Sequence, residues 1–136
     1  MVHSEFSSEF IMVHHSSTVL QSIYEFRKNL GWAFQIQYDY LDTYGEEEKF
    51  GKKIGGDILE NKKTLLFIRA KQLLNPSDTK NLTRLYSSKF TDDLNKISEV
   101  RRLFEKCNIP ELISAEIENF TNISLKTCLL YTSDAA

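Results

Sequence analysis

The sequence predicts an all-α protein, an antiparallel helical bundle interrupted by one glycine-rich loop. Five glycines and two prolines are the only strong breakers in 136 residues, whereas a β sandwich or barrel needs turn signals about every 8–12 residues. All five glycines (Gly31, Gly45, Gly51, Gly55, Gly56) fall between positions 31 and 56. The stretches on either side run without punctuation and repeat apolar residues at near-helical spacings.

The first helix is predicted from about Thr18 to Thr43, where Leu20, Ile23, Leu30, Phe34 and Leu41 recur, and Gly45 is its stop. Residues 45–60 read as a loop with five acids (Glu46, Glu47, Glu48, Asp57, Glu60) and three lysines (Lys49, Lys52, Lys53). A second helix is predicted from Asn61 to Leu74, ending at Asn75-Pro76 because the residue before proline is pushed out of the α region. A third spans Ser77 to Lys89. A fourth starts from a Thr91 cap, with Asp92 and Asp93 in its first turn, and runs to Cys107 with Leu94, Ile97, Val100, Phe104 and Cys107 inward. Pro110 suits the first turn of a last helix that turns Leu112, Ile113, Ile117 and Phe120 inward. Residues 1–17 lack periodicity and are expected to be irregular. The helical domain is placed at 18–128, and 129–136, uncapped and without an apolar partner, is expected to be an artefactual or disordered tail ending a truncated frame.

Seventeen Lys and Arg against nineteen Asp and Glu give a net charge of −2, which argues against broad electrostatic binding to nucleic acid or anionic membrane. The length allows one domain with a real core and no staples. Cys107 and Cys128 lack metal-ligand spacing and are expected as free thiols in a reducing compartment. No run approaches the ~18 apolar residues of a membrane span, and residues 1–17 do not pattern as a signal peptide, so a cytoplasmic location is expected. Sequons at Asn81, Asn119 and Asn122 carry no weight without a secretory route.

The chemistry is concentrated in Phe34-Gln35-Ile36-Gln37-Tyr38-Asp39-Tyr40-Leu41-Asp42, where Gln35, Asp39 and Asp42 share one helix face. Two carboxylates at a helix end, followed by a lysine-bearing loop, suit Mg²⁺, which takes one or two protein carboxylates and fills its other positions with water and phosphate oxygens. The alternative is a solvated amphipathic face. Lys62 and Lys63 stand at the predicted start of the second helix, where the macrodipole disfavours cations, so an anion is expected near them. Asp57 and Glu60 are candidates. A bound diphosphate is the other, within reach of Lys52, which follows Gly51.

These residues, with Gly45, Lys49-Phe50-Gly51-Lys52, Gly55-Gly56-Asp57-Ile58 and Asn61-Lys62-Lys63-Thr64-Leu65-Leu66, resemble the second aspartate-rich region of the trans-isoprenyl diphosphate synthases, the polyprenyl synthetases. The resemblance is strong over residues 22–66 and weaker over 104–118. It implies an all-helical enzyme, a homodimer, that joins an allylic diphosphate to isopentenyl diphosphate using Mg²⁺ held by two DDxxD motifs. By that resemblance Asp39 and Asp42 bind metal, Gln35, Lys52 and Lys62 bind the diphosphate, the two lysines stabilise it as it leaves, and Asp57 anchors the loop. The chain departs from the family at Tyr38, which replaces the motif's leading aspartate with a neutral phenol, and at Arg27, where the family commonly has glycine. The first DDxxD, the upstream Lys-Thr pair and the isopentenyl-binding basic residues are absent; Asp92-Asp93 continues as Leu94-Asn95-Lys96 and marks a helix start. The isolated chain is therefore expected to be inactive, as a fragment of such an enzyme or, alternatively, as a non-catalytic partner subunit.

Other groups have simpler explanations. His3, His14 and His15 lack a further ligand at metal spacing, and Glu46 to Glu48 lack the alternating ligands of a calcium loop. Arg101 and Arg102 share a helix face with Glu99 and Glu105. Tyr24, Phe26, Trp32 and Phe34 are expected in core or subunit contacts.

Overall fold

The computed structural model of the chain describes residues 2–87 and 92–135, with side chains described between 17 and 130 of those. The described residues form helices α1 (Val2–Tyr44), α2 (Glu47–Phe50), α3 (Gly56–Leu59), α4 (Leu65–Leu73), α5 (Pro76–Leu85), α6 (Asp93–Lys106) and α7 (Ile109–Ala135). No strand occurs among them, as the sparse punctuation predicts.

The element limits differ from the predicted ones for local reasons. With no glycine or proline before Gly31, α1 extends back to Val2 through the segment expected to be irregular. For the same reason α7 continues through the expected tail to Ala135. The loop after Gly45 winds into two single-turn helices, α2 and α3. Asn61 takes a left-handed conformation at φ 57°, which no α-helix tolerates, so α4 starts four residues later than predicted.

Two compact units divide the chain, Met1–Ala33 with Glu118–Ala136, and Phe34–Ile117. In the first, Ser124 is 1% exposed and donates its hydroxyl to the Phe120 carbonyl at 3.0 Å, with the Phe26 carbonyl at 3.4 Å. Ser22, Ile23, Phe26, Arg27, Thr127 and Cys128 line a groove between these parts of α1 and α7. Arg27 is exposed, so its guanidinium has an outlet to solvent. Leu20, Ile23, Tyr24 and Trp32 are exposed as well, so the apolar spacing of early α1 marks no buried stripe in this unit.

In the second unit Ile36, Ile58, Leu66, Leu82, Leu85, Val100, Leu103, Phe104 and Ile113 are buried. Each such side chain contributes about 1.5–3 kcal/mol by leaving water. Asn75 caps α5, its side-chain oxygen accepting the Asp78 N–H at 2.8 Å with Pro76 in the first turn. Asp92 caps α6, accepting the Asn95 N–H at 3.1 Å; Thr91, the predicted cap, lies outside the described residues. The inward face of α6 is Lys96, Ile97, Val100, Leu103 and Phe104. Leu94 is 78% exposed, contrary to the predicted face, because it lies in the first turn, on the side away from that stripe. Arg101 bonds the Thr43 carbonyl, tying α6 to the last turn of α1.

Candidate functional site

The last turns of α1 bury Ile36, Asp39 and Asp42, three residues apart on one face, with Thr43 beside Asp42 and four residues from Asp39. Asp39 is 6% and Asp42 2% exposed, so the aspartates are not the solvated face that helical spacing alone permits. The loop folds back over them. Gly51 closes α2 at φ 71° and Gly55 precedes α3 at φ 92°, backbone angles that a side chain makes costly. The Gly55 N–H donates to the Asp42 carbonyl at 2.6 Å.

Gly55 has no side chain with which to cap α3, and Asp42 supplies the missing acceptor: its Oδ2 takes the Asp57 N–H at 2.8 Å. Asp42 Oδ1 is buried and accepts no hydrogen bond, with only the Lys52 Nζ facing it at 3.4 Å. Asp39 Oδ1 accepts from the Gln35 amide at 3.1 Å. Lys62 Nζ lies 3.6 Å from that same oxygen and 3.9 Å from Asp57 Oδ1. Three carboxylates are thus answered by two ammonium groups. Burial pushes the Asp57 carboxyl above its ordinary value, the charge of Asp42 pushes it further, and Lys62 pulls it back. Both lysines are about half exposed while the aspartates they face are buried, so each ammonium group also keeps a side open to solvent.

The structure therefore brings Gln35, Asp39, Asp42, Lys52, Asp57 and Lys62 to one place. Asp57 and Asp39 are the acids near Lys62, while Glu60 points to solvent. Lys62 and Lys63 precede α4 instead of lying in its first turn. Tyr38 is outside the cluster, 61% exposed, with its ring centroid 5.9 Å from that of Phe50. Two residues that were given no role at the site from the sequence support the loop. Asn61 turns the chain just before Lys62, and Lys96 of α6, 2% exposed, donates to the Asn61 side-chain oxygen. A lysine in register with Ile97, Val100 and Phe104 was the available signal.

Among the described residues no group of three or more His, Cys, Asp and Glu side chains is gathered to hold a metal unaided. The side chains of His3, His14 and His15 are outside the description. What Asp39 and Asp42 offer is a small set of hard oxygen donors, one of them buried without a hydrogen bond. That donor set fits a cation such as Mg²⁺, which completes its shell from water and phosphate.

An all-helical chain with an aspartate pair under a lysine-bearing glycine loop defines a class, the helical isoprenoid-synthase fold. A family model described as polyprenyl synthetase matches residues 3–104, and the chain belongs to that family. It is 42% identical over 94 residues to a farnesyl pyrophosphate synthase of Nezara viridula, covering 69% of this chain and 22% of that protein. It is 38% identical over 73 residues to a short chain isoprenyl diphosphate synthase of Methanocaldococcus jannaschii, covering 54% of this chain and 22% of that protein. A crystal structure of a geranylgeranyl pyrophosphate synthase matches with a TM-score of 0.73 at 34% identity, over 81% of this chain and 35% of that one. The chain spans about a fifth to a third of the length of these relatives. No helix among the described residues is long and apolar enough to cross a membrane.

Proposed function

We propose that this chain is the diphosphate-gripping part of a trans-prenyltransferase that joins an allylic diphosphate to isopentenyl diphosphate, giving a longer polyprenyl diphosphate. The observation that carries the reading is the placement of Lys52 and Lys62 against the buried carboxylates at the end of α1. Breaking the allylic carbon–oxygen bond leaves new negative charge on the diphosphate, and ammonium groups already aimed at the site lower the energy of that charge. Gln35 orients Asp39, and Asp57 steadies Lys62. Asp39 and Asp42 would hold Mg²⁺, which when bound supplies Lewis-acid stabilisation of the departing diphosphate. A cytoplasmic homodimer belongs to the same reading.

One observation favours a second reading. Tyr38 occupies the motif's leading acidic position, is turned outward and brings no charge, as suits a helical partner subunit that has lost catalysis.

The test is a titration of inorganic diphosphate into the 136-residue chain, followed by ³¹P NMR with and without Mg²⁺. Mg²⁺-dependent binding is expected, weakened by Asp39→Asn and strengthened by Tyr38→Asp. Binding that ignores Mg²⁺ and both substitutions would sink the metal assignment. With radiolabelled allylic and isopentenyl diphosphates the isolated chain is expected to give no prenyl product, and product formation would overturn its inactivity.

A further inference from the structure

Lys96 is a buried cation on a helix that contributes no residue to the carboxylate–lysine cluster, and the proposed chemistry leaves it without a task. Its Nζ donates to Asn61 Oδ1 across 35 positions of sequence. Asn61 is one of two non-glycine residues with positive φ among those described, and it is the residue immediately before Lys62. The backbone leaving this turn is fixed on both sides, with the Lys62 N–H donating to the Asp57 carbonyl at 2.9 Å and the Thr64 N–H to the Lys62 carbonyl at 3.0 Å. The neighbouring residue on α6, Ile97, packs against Gly55 at the other end of the same segment. Two consecutive residues of α6 thus brace both ends of the stretch that carries Asp57 and Lys62.

We infer that Lys96 is a positioning residue for Lys62, acting from α6 through Asn61 to hold the turn that directs the Lys62 ammonium toward the diphosphate. The inference rests on the diphosphate reading given above. A lysine placed here for stability alone is a poor solution. Burial disfavours its charged form, the charge of Asp93 opposes the effect, and an apolar side chain of similar length would avoid the cost. The ammonium gives the turn a strong, directional bond to the Asn61 amide that methionine lacks.

The experiment is a double-mutant cycle on the 136-residue chain, with the dissociation constant for inorganic diphosphate in Mg²⁺ read by ³¹P NMR. Lys62→Ala should weaken binding about tenfold, the loss of one charge-assisted contact. Lys96→Met should weaken it by several-fold while the helical circular dichroism and the melting midpoint change little. In the Lys62→Ala background Lys96→Met should have no further effect, because its influence passes through Lys62. A Lys96→Met chain with wild-type affinity, beside a weakened Lys62→Ala chain, overturns the inference and leaves the diphosphate reading standing. Equal weakening in both backgrounds also overturns it, since Lys96 would then be acting on the fold at large. Absence of diphosphate binding, or indifference to Lys62→Ala, removes the reading on which it rests and the inference with it. If Lys96→Met fails to fold, Asn61→Gly takes its place in the cycle with the same expected outcomes, because glycine keeps the left-handed turn and removes only the acceptor.

Discussion

Asp57 is held between opposing influences, and its protonation tests which is larger. Burial and the Asp42 charge raise its pKa above the ordinary 3.8, while Lys62 lowers it. In the acidic window above 3.8 the folded chain therefore holds more protons than the unfolded one, and stability falls as pH rises through that window. At neutral pH the ionised carboxylate costs stability. Asp57→Asn is expected to raise the urea midpoint at pH 7 and to remove this component of the acid-side dependence; a lower midpoint would show that the Lys62 attraction outweighs burial. The acids and lysines of the cluster were legible in the sequence because helical spacing put Asp39 and Asp42 on one face and the loop lysines followed directly. The Lys96 contact with Asn61 was not, since helical register can mark Lys96 as inward-facing but cannot name a partner 35 positions away.

The short elements of the loop depend on backbone shapes that few residues provide. A Cβ on Gly55 would meet Ile97 Cδ1 at 2.5 Å, and its φ of 92° is strained for any side chain. Gly55→Ala is expected to cost about 1–3 kcal/mol in chemical denaturation. Ile97→Val, which deletes the Cδ1 atom, should recover the steric part in the double mutant and leave the backbone part, so the two changes will not add. If Ile97→Val restores nothing, the clash is relieved by side-chain movement and the cost is backbone strain alone. The long helices were legible in kind, because runs without glycine or proline have little else to form. Their limits were not. The start of α4 depends on one asparagine in a left-handed turn, and the burial of Leu103 in place of Leu94 is decided by which neighbours α6 meets.

At the scale of the molecule, the unit formed by Met1–Ala33 and Glu118–Ala136 leaves Leu20, Tyr24 and Trp32 of α1 and Leu125, Leu129 and Leu130 of α7 exposed. Apolar surface of this extent favours association. Sedimentation velocity is expected to show species heavier than 15.8 kDa as concentration rises, and a clean monomer at all concentrations would count against it. Exposed apolar faces and self-association were expected from the sequence, whereas the division into two units was not legible, because periodicity identifies an apolar stripe and not what covers it. The carboxylate of Asp42 has a consequence for how such a protein changes over generations. Because the same side chain completes the first turn of α3, selection for a folded chain preserves it even where selection for chemistry has lapsed. Tyr38, outward-facing and bound into no backbone turn, is under no such restraint. The fold by itself therefore restrains Asp42 more tightly than Tyr38, whatever chemistry the site performs.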